Sequence, residues 1–361
     1  MGFTFQSIVA LFVCLSTLPA RAETPAQVES LLELGHFKRA KSIVEAELRA
    51  NAKDAQAHAW MAKILINFND MEGAFAAAER AVAISPNNAA FQGQLAEAAA
   101  MMADKSNPLK GFGYVRRMKK AIDTALAIDP KNTDTLLVEM MFAWKAPAIA
   151  GGDRKQAVRI ADRIVSISPV WGYLAHARLL QDQGQDAVTE EWLKKAVQAA
   201  PGFYRARVSL ARFYCCTARN KRMDMAEKAA NDAIAVDPSA SGAYEVLARV
   251  YATQQRWADL DNLVARAEKA VPDDLGAYES AARALMEIGQ DFRRAERYLN
   301  KYLSQPAEGR QPSHAEALWV MANLYIKEGR KADAIRELQA ALRIQTDYEP
   351  AKADLKRILN S

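Results

Sequence analysis

The sequence of 361 residues predicts an all-α solenoid: a right-handed superhelix of about nine helix pairs closed by a C-terminal helix. Three observations carry this expectation. Small residues recur at the same three places in nine stretches, in a register close to 34 residues. Apolar residues between them keep the three- and four-residue spacing of one helix face. Gly and Pro punctuate the stretches at fixed offsets, and self-similarity of this period is the mark of stacked repeats.

The elements follow from the register. With Ala315 as position 1 of the last unit, Leu318, Met321, Ala322 and Tyr325 fall at 4, 7, 8 and 11, Gly329 at 15, and Ala334, Leu338 and Ala341 at 20, 24 and 27. A unit begun at Ala55 places Met61, Ala62, Leu65, Ala74, Ala78, Ala81 and Pro86 at 7, 8, 11, 20, 24, 27 and 32; one begun at Ser241 repeats the scheme. Positions 4, 7, 8 and 11 share a face of a first helix, and 20, 24 and 27 share a face of a second. Ala at 8, 20 and 27 lets the two approach closely. Gly near 15 suits the left-handed turn between them, and Pro at 32 cannot continue the second helix. A degenerate unit from Pro25 to about Ala52, with Gly35 at 15 and Ala40 at 20, precedes eight regular ones. A charged segment from Glu349 to Asn360 gives the closing helix a wet outer face.

On these positions the chain resembles the tetratricopeptide repeat family over nearly all of residues 23–361. The resemblance implies a concave surface lined by the first helix of each unit, and a role in holding a protein or peptide.

Residues 1–22 read as a secretory signal peptide. Ile8 to Leu18 is an apolar run too short to span a bilayer, followed by Pro19 and the small-x-small pattern Ala20-Arg21-Ala22. A membrane-retained N-terminus is the alternative, since no Lys or Arg precedes the run. Val13 before Cys14 argues against lipidation. The expected location is the periplasm, or the exterior if the chain is secreted. No later segment is long and apolar enough for a membrane helix. Without Arg21 the formal charge falls from +5 to +4, which does not suggest a nucleic-acid partner. The mature chain keeps Cys215 and Cys216. Neighbouring α-carbons sit closer than disulfide geometry prefers, so the pair reads either as two small helix residues or as a redox-sensitive pair, and not as a framework.

Two insertions interrupt the register, and in a solenoid such insertions map to loops on one edge. About ten extra residues lie in Asp104–Gly113, where Asn107-Pro108, Gly111 and Gly113 predict a loop, made basic by Lys105, Lys110, Arg116 and Arg117. About four more lie in Lys145–Asp153: Pro147 breaks the helix, Gly151-Gly152 turn the chain, and Asp153 is suited to cap the next helix. Because the two units are neighbours, Phe112, Tyr114, Trp144, Pro147 and Ile149 could form a composite pocket for a small apolar ligand; the plainer alternative is that each loop packs on its neighbour. The Pro147–Asp153 turn also resembles one found in exported bacterial repeat proteins and in the periplasmic T component of TRAP-type transporters. That local likeness implies a ligand carrier as an alternative function.

Position 9, on the expected inner face, holds Lys63, Arg178, Arg212, Arg249 and Arg283. A row of guanidinium groups could take acidic side chains or the C-terminal carboxylate of an extended peptide. Helical neighbours could instead neutralise the row: Asp182 for Arg178, Glu245 for Arg249 and Glu279 for Arg283. Arg212, with Arg205 near it, lacks an obvious partner in sequence. Trp171 and Trp319 are expected on the same face as anchors.

No phosphate-cradling glycine loop, His-Glu-x-x-His or Gly-x-Ser-x-Gly is present. His36, His58, His176 and His314 fall in different units, where sharing a metal would need tight curvature. No catalytic residue, cofactor or metal site is expected. The sequence therefore points to a non-catalytic scaffold or adaptor that holds a protein or peptide, and the basic row would suit an acidic one.

Overall fold

The computed structural model describes residues 25–360 apart from 182, 310 and 311. The expected leader and Cys14 lie outside the described residues. Nine helix pairs follow in order, with no strand among the described residues. They are α1 (Pro25–Leu34) with α2 (Phe37–Ala50), α3 (Ala55–Asn67) with α4 (Met71–Ile84), α5 (Ala89–Lys105) with α6 (Pro108–Ile128), and α7 (Thr133–Lys145) with α8 (Arg154–Ile167). Next come α9 (Pro169–Gln181) with α10 (Asp186–Ala199), α11 (Tyr204–Arg212) with α12 (Met223–Val236), α13 (Gly242–Thr253) with α14 (Trp257–Ala270), α15 (Gly276–Ile288) with α16 (Phe292–Leu303), and α17 (His314–Lys327) with α18 (Lys331–Ile344). The closing helix α19 spans Glu349–Leu359, with Ala351 and Ile358 buried and Lys352, Lys356 and Arg357 exposed.

The small residues do what their spacing requires. Ala62, Ala74, Ala81, Ala248, Ala322, Ala334 and Ala341 are all fully buried where helices touch. Position 15 is a left-handed turn in six units: Gly35, Gly184, Gly289 and Gly329 occupy it, and so do Asn69 and Gln255. Glycine adopts that conformation without the Cβ clash that other residues meet there.

The first insertion is not a loop. Asn107 caps α6 by accepting from the Lys110 backbone N–H at 3.1 Å, and Pro108 falls in the first turn, where a missing N–H costs nothing. Gly111 sits where a Cβ would come within 3.1 Å of the Ala103 carbonyl oxygen, so it lets α5 and α6 close on each other. The residues that read as loop-formers are a cap, a first-turn proline and a contact glycine. As a result α6 has 21 residues where α4, α8, α10, α12, α14 and α18 have 14. The second insertion is a turn as expected. It contains a short 3-10 stretch at Ala148–Ala150 and left-handed Gly151, and Asp153 accepts from the Lys155 and Gln156 N–H groups at 2.8 and 3.0 Å.

After α11 the helix widens into a π-turn, Phe213–Thr217, and there Cys215 and Cys216 are bonded to each other. The adjacent cysteines are thus paired. Because they are neighbours, the bond closes no chain loop and adds no framework.

A Tyr–Glu–Arg arrangement stitches successive units together. Tyr214, Tyr251 and Tyr325 donate to Glu190, Glu227 and Glu296 at 2.9, 3.1 and 2.6 Å. Arg222, Arg256 and Arg330 lie over those rings and pair with the same carboxylates. Burial raises the Glu190 pKa, but hydrogen bonds from Lys194, Arg222 and Tyr214 outweigh it and hold the carboxyl near about 2.

The curvature is tight enough for the first unit to meet the late ones. His36 Nδ1 lies 3.7 Å from Asp273, Arg39 donates to the same carboxylate at 2.6 Å, and the Lys38 backbone N–H donates to Glu308 at 2.7 Å. Lys38 Nζ donates to the carbonyls of Asp273 and Pro306. Elbows within the early units, at residues 35–36 and 67–68, therefore rest on loops between later units.

A candidate partner-binding crevice

The row at position 9 divides into two kinds of residue. Arg212 pairs with Glu245 at 2.9 Å, Arg249 with Glu287, and Arg283 with Glu279 and, at 3.0 Å, with Glu316. Each arginine thus reaches the first helix of the next unit. Only the Glu279–Arg283 pairing follows the neighbour relation read from sequence. Glu245 turns back to Arg212 in the preceding unit, and Arg212, which lacked a partner in sequence, has one in space. Glycines make room: a Cβ on Gly242 would stand 3.1 Å from Arg212 Nη2, and one on Gly276 would stand 3.0 Å from Glu245 Oε1. Burial raises the Glu245 and Glu279 pKa values against the pull of Arg212 and Arg283. This part of the row is an internal ladder.

Lys63, Arg178 and Arg205 stay outside it. Lys63 and Arg178 are exposed, and Arg178 donates to Gln181 at 3.4 Å; the expected partner Asp182 lies outside the described residues. Trp319 is engaged within the chain: its indole N–H donates to Asp354 of α19 at 2.8 Å, and its ring meets Tyr348 edge-on at 6.2 Å. The closing helix therefore takes up one of the two expected anchors.

Trp171 and Arg205 are brought together. The guanidinium lies over the indole at 5.3 Å, and Phe203 meets the same indole edge-on at 5.4 Å. They line a crevice of about 270 Å³ with Gly202, Tyr204, Val236 and Asp237, and its opposite wall is α1, through Ser30, Glu33 and Leu34. Tyr204 is held rigid, since its hydroxyl donates to the Ala240 carbonyl at 3.1 Å and accepts from the Ala243 N–H at 2.8 Å. Loss of solvent lowers the Arg205 pKa, and Glu33 and Asp134 act against that shift. No carboxylate among the described residues comes within ion-pair distance of Arg205. The crevice therefore offers an aromatic wall and a cation held in no ion pair among the described residues, a combination suited to an acidic or carboxylate-bearing segment. The sequence placed Trp171 and Arg205 on the inner face but not α1 opposite them; no periodicity reports a contact of unit one with units five and six.

The expected pocket at the insertions does not form. Tyr114 packs edge-on against Phe75 at 5.3 Å in the core of the first three units, and Trp144 is buried in a separate core with Leu136 and Ile160. Phe112, Pro147 and Ile149 are exposed. The lengthened α6 carries Phe112 out along the helix, so the five side chains do not converge. The two insertions do touch, since Lys119 Nζ donates to the Ala150 carbonyl at 3.2 Å. His58 and His176 are buried as their packing positions implied; His176 stacks on Trp192 at 4.3 Å and meets Asp162 at 3.0 Å. No group of three or more metal-ligating side chains occurs among the described residues.

The tetratricopeptide repeat family model matches residues 26–89 and 279–350. A tetratricopeptide repeat protein of Thermus thermophilus is similar at 20% identity and a TM-score of 0.45, covering 52% of this chain and 95% of that one. One from Parabacteroides merdae is similar at 14% identity and a TM-score of 0.47, covering 73% and 98%. No curated protein matches the chain significantly. With small residues such as Ala62, Ala74, Ala81, Ala322, Ala334 and Ala341 buried where helices pair, and the family's repeats matched near both ends, the chain is an all-α solenoid that carries tetratricopeptide repeats at residues 26–89 and 279–350.

Proposed function

We propose that this chain is a non-catalytic adaptor of the bacterial cell envelope that holds an acidic peptide segment of a partner protein in the crevice beside Trp171. Tetratricopeptide repeats serve protein–protein contact in general, and the leader-like residues 1–22 are the reason for assigning the envelope. One observation carries the choice of site. Arg212, Arg249 and Arg283 are each consumed by a carboxylate of this chain, whereas Arg205 stacks on Trp171 with no carboxylate among the described residues within ion-pair distance. Glu33, on the facing wall, shows the kind of side chain the cation attracts.

The test is fluorescence polarisation with a panel of extended peptides, acidic and charge-scrambled, against the parent chain, Arg205→Glu and Trp171→Ala. Arg205 is exposed in the free chain, so loss of one charge-assisted contact costs about 1.5 kcal/mol, and acidic peptides should bind the Arg205→Glu chain at least tenfold more weakly. Arg212→Ala should leave binding within threefold. Equal affinity for Arg205→Glu and parent would remove the crevice from consideration.

A further inference from the structure

We propose that the α5–α6 elbow is a membrane-surface contact that seats its tip in an anionic lipid interface. In register, α6 begins seven residues earlier than a regular second helix, which at 1.5 Å per residue carries the elbow about 10 Å beyond its neighbours. Leu109 and Phe112 stand one turn apart on one face of α6 and are 88% and 56% exposed. No other large apolar side chain among the described residues matches Leu109 in exposure except Ile149, at 97%, in the adjoining elbow that Lys119 ties to α6.

Behind this apolar tip the same face turns basic. Arg116 follows Phe112 by one turn, with its guanidinium 5.6 Å from the ring, and Lys119 and Lys120 follow by two. Lys105 and Lys110 flank the tip, and all five of these cations are exposed with no carboxylate in ion-pair distance among the described residues. Arg117 is the exception, paired with Glu79. Between residues 104 and 120 the one carboxylate is Asp104.

An apolar end with a cationic collar about 5–10 Å behind it matches the profile of a lipid interface, where acyl chains lie that far beneath the phosphates. Lys105 and Lys110 are long enough to bring their ammonium groups back to the headgroups. A protein partner would more naturally meet a concave or flat apolar face than a narrow projecting one, and an acidic partner would need no Leu109 or Phe112. The charge complement and the shape both favour an anionic bilayer surface.

Vesicle co-sedimentation of the chain from residue 23 tests this, using phosphatidylcholine vesicles with and without a third of phosphatidylglycerol, in 0.1 M salt. The parent should bind the anionic vesicles at least tenfold more tightly than the neutral ones. Lys110→Glu with Arg116→Glu should lose at least tenfold, and Leu109→Ser with Phe112→Ser should lose a similar factor while keeping the parent's circular dichroism. All four side chains are exposed, so the fold should survive these changes. Absence of vesicle binding, equal binding to both vesicle types, or full binding by either double variant would overturn the proposal. Binding of a soluble acidic protein without vesicle binding would point to a protein contact instead and overturn it equally.

Discussion

Replacing Lys38 by Met should loosen the contact that closes the superhelix. The ammonium of Lys38 sits between the Pro306 carbonyl at 2.8 Å, the Asp273 carbonyl and Glu308 Oε2 at 3.4 Å. Met keeps most of the stem, so packing changes little and the effect reports the charge. Removing one partner of a buried ion pair costs about 3–5 kcal/mol. Two features lower that figure here. Lys38 is partly exposed, and burial already pushes the Glu308 carboxyl up to about 7, so it can accept a proton at neutral pH and escape the full penalty of an unpaired charge. The expected loss is about 2–3 kcal/mol of docking free energy, which corresponds to amide exchange about 30 to 150 times faster in α1 and α2. Hydrogen exchange read by mass spectrometry over residues 25–50, with α13–α18 as internal reference, measures it. Small-angle scattering should show a larger radius of gyration. Exchange within threefold of the parent in α1 and α2, with unchanged scattering, would refute the view that this contact holds the first unit against the late ones.

Four further outcomes follow. Glu308 has a raised pKa in the folded chain, so its contribution is full below the ordinary carboxyl value of 4.5 and is lost as pH rises through about 7; urea unfolding at pH 5 and pH 8 should show the contact weaker at pH 8, and Glu308→Gln should flatten that difference. Asp273 works in the opposite sense: held near about 2 by His36 and Arg39 against its burial, it supports the contact at all pH above the usual aspartate range and fails only as pH falls through about 2. Arg212→Glu with Arg249→Glu turns two rungs of the ladder into like-charge contacts with Glu245 and Glu287, and should lower stability by about 2 kcal/mol or more in urea unfolding; unchanged stability would mean the rungs are surface decoration. Gly172→Ala would place a Cβ 2.3 Å from the Val165 backbone nitrogen, where α9 packs on α8, and the overpacking should cost about 2–3 kcal/mol in thermal or urea unfolding.

The helix pairs were legible because each is a local matter. Ala62 and Ala74 lie within one unit, and the spacing that puts them on facing sides is written into twelve residues. Position 15 was legible where Gly holds it, but Asn69 and Gln255 adopt the same left-handed turn without announcing it. Asn107-Pro108 misled for a physical reason: a cap followed by a first-turn proline and a loop share the same composition, and what separates them is whether α5 offers a surface for α6 to continue along. The Ala103 carbonyl beside Gly111 is that surface. The ladder was half legible. Glu279 and Arg283 are four apart on one helix, whereas Arg212 and Glu245 are 33 apart and meet only once the stack has formed.

The crevice depends on a number that no single unit contains. Each unit adds a small rotation, and the loop facing the first unit is set by how many rotations have accumulated. Here the sum brings Glu33 opposite Arg205 and Lys38 onto Glu308. A chain with one unit fewer between α2 and α9 would keep every local contact described above and still carry Trp171 past a different partner. The tight curvature that a metal shared between histidines of distant units would require is therefore present, since Lys38 stands close enough to both Asp273 and His314 to act on them electrostatically. Among the described residues it brings Lys38 and Glu308 into an ionic contact. A solenoid whose turns touch holds its inner face at a fixed radius, and a fixed radius lets one arginine and one tryptophan select a ligand. If the closure fails, the crevice loses its α1 wall while Trp171, Phe203 and Arg205 stay together. Binding through both walls would then weaken in the Lys38→Met chain, and binding through the aromatic wall alone would not.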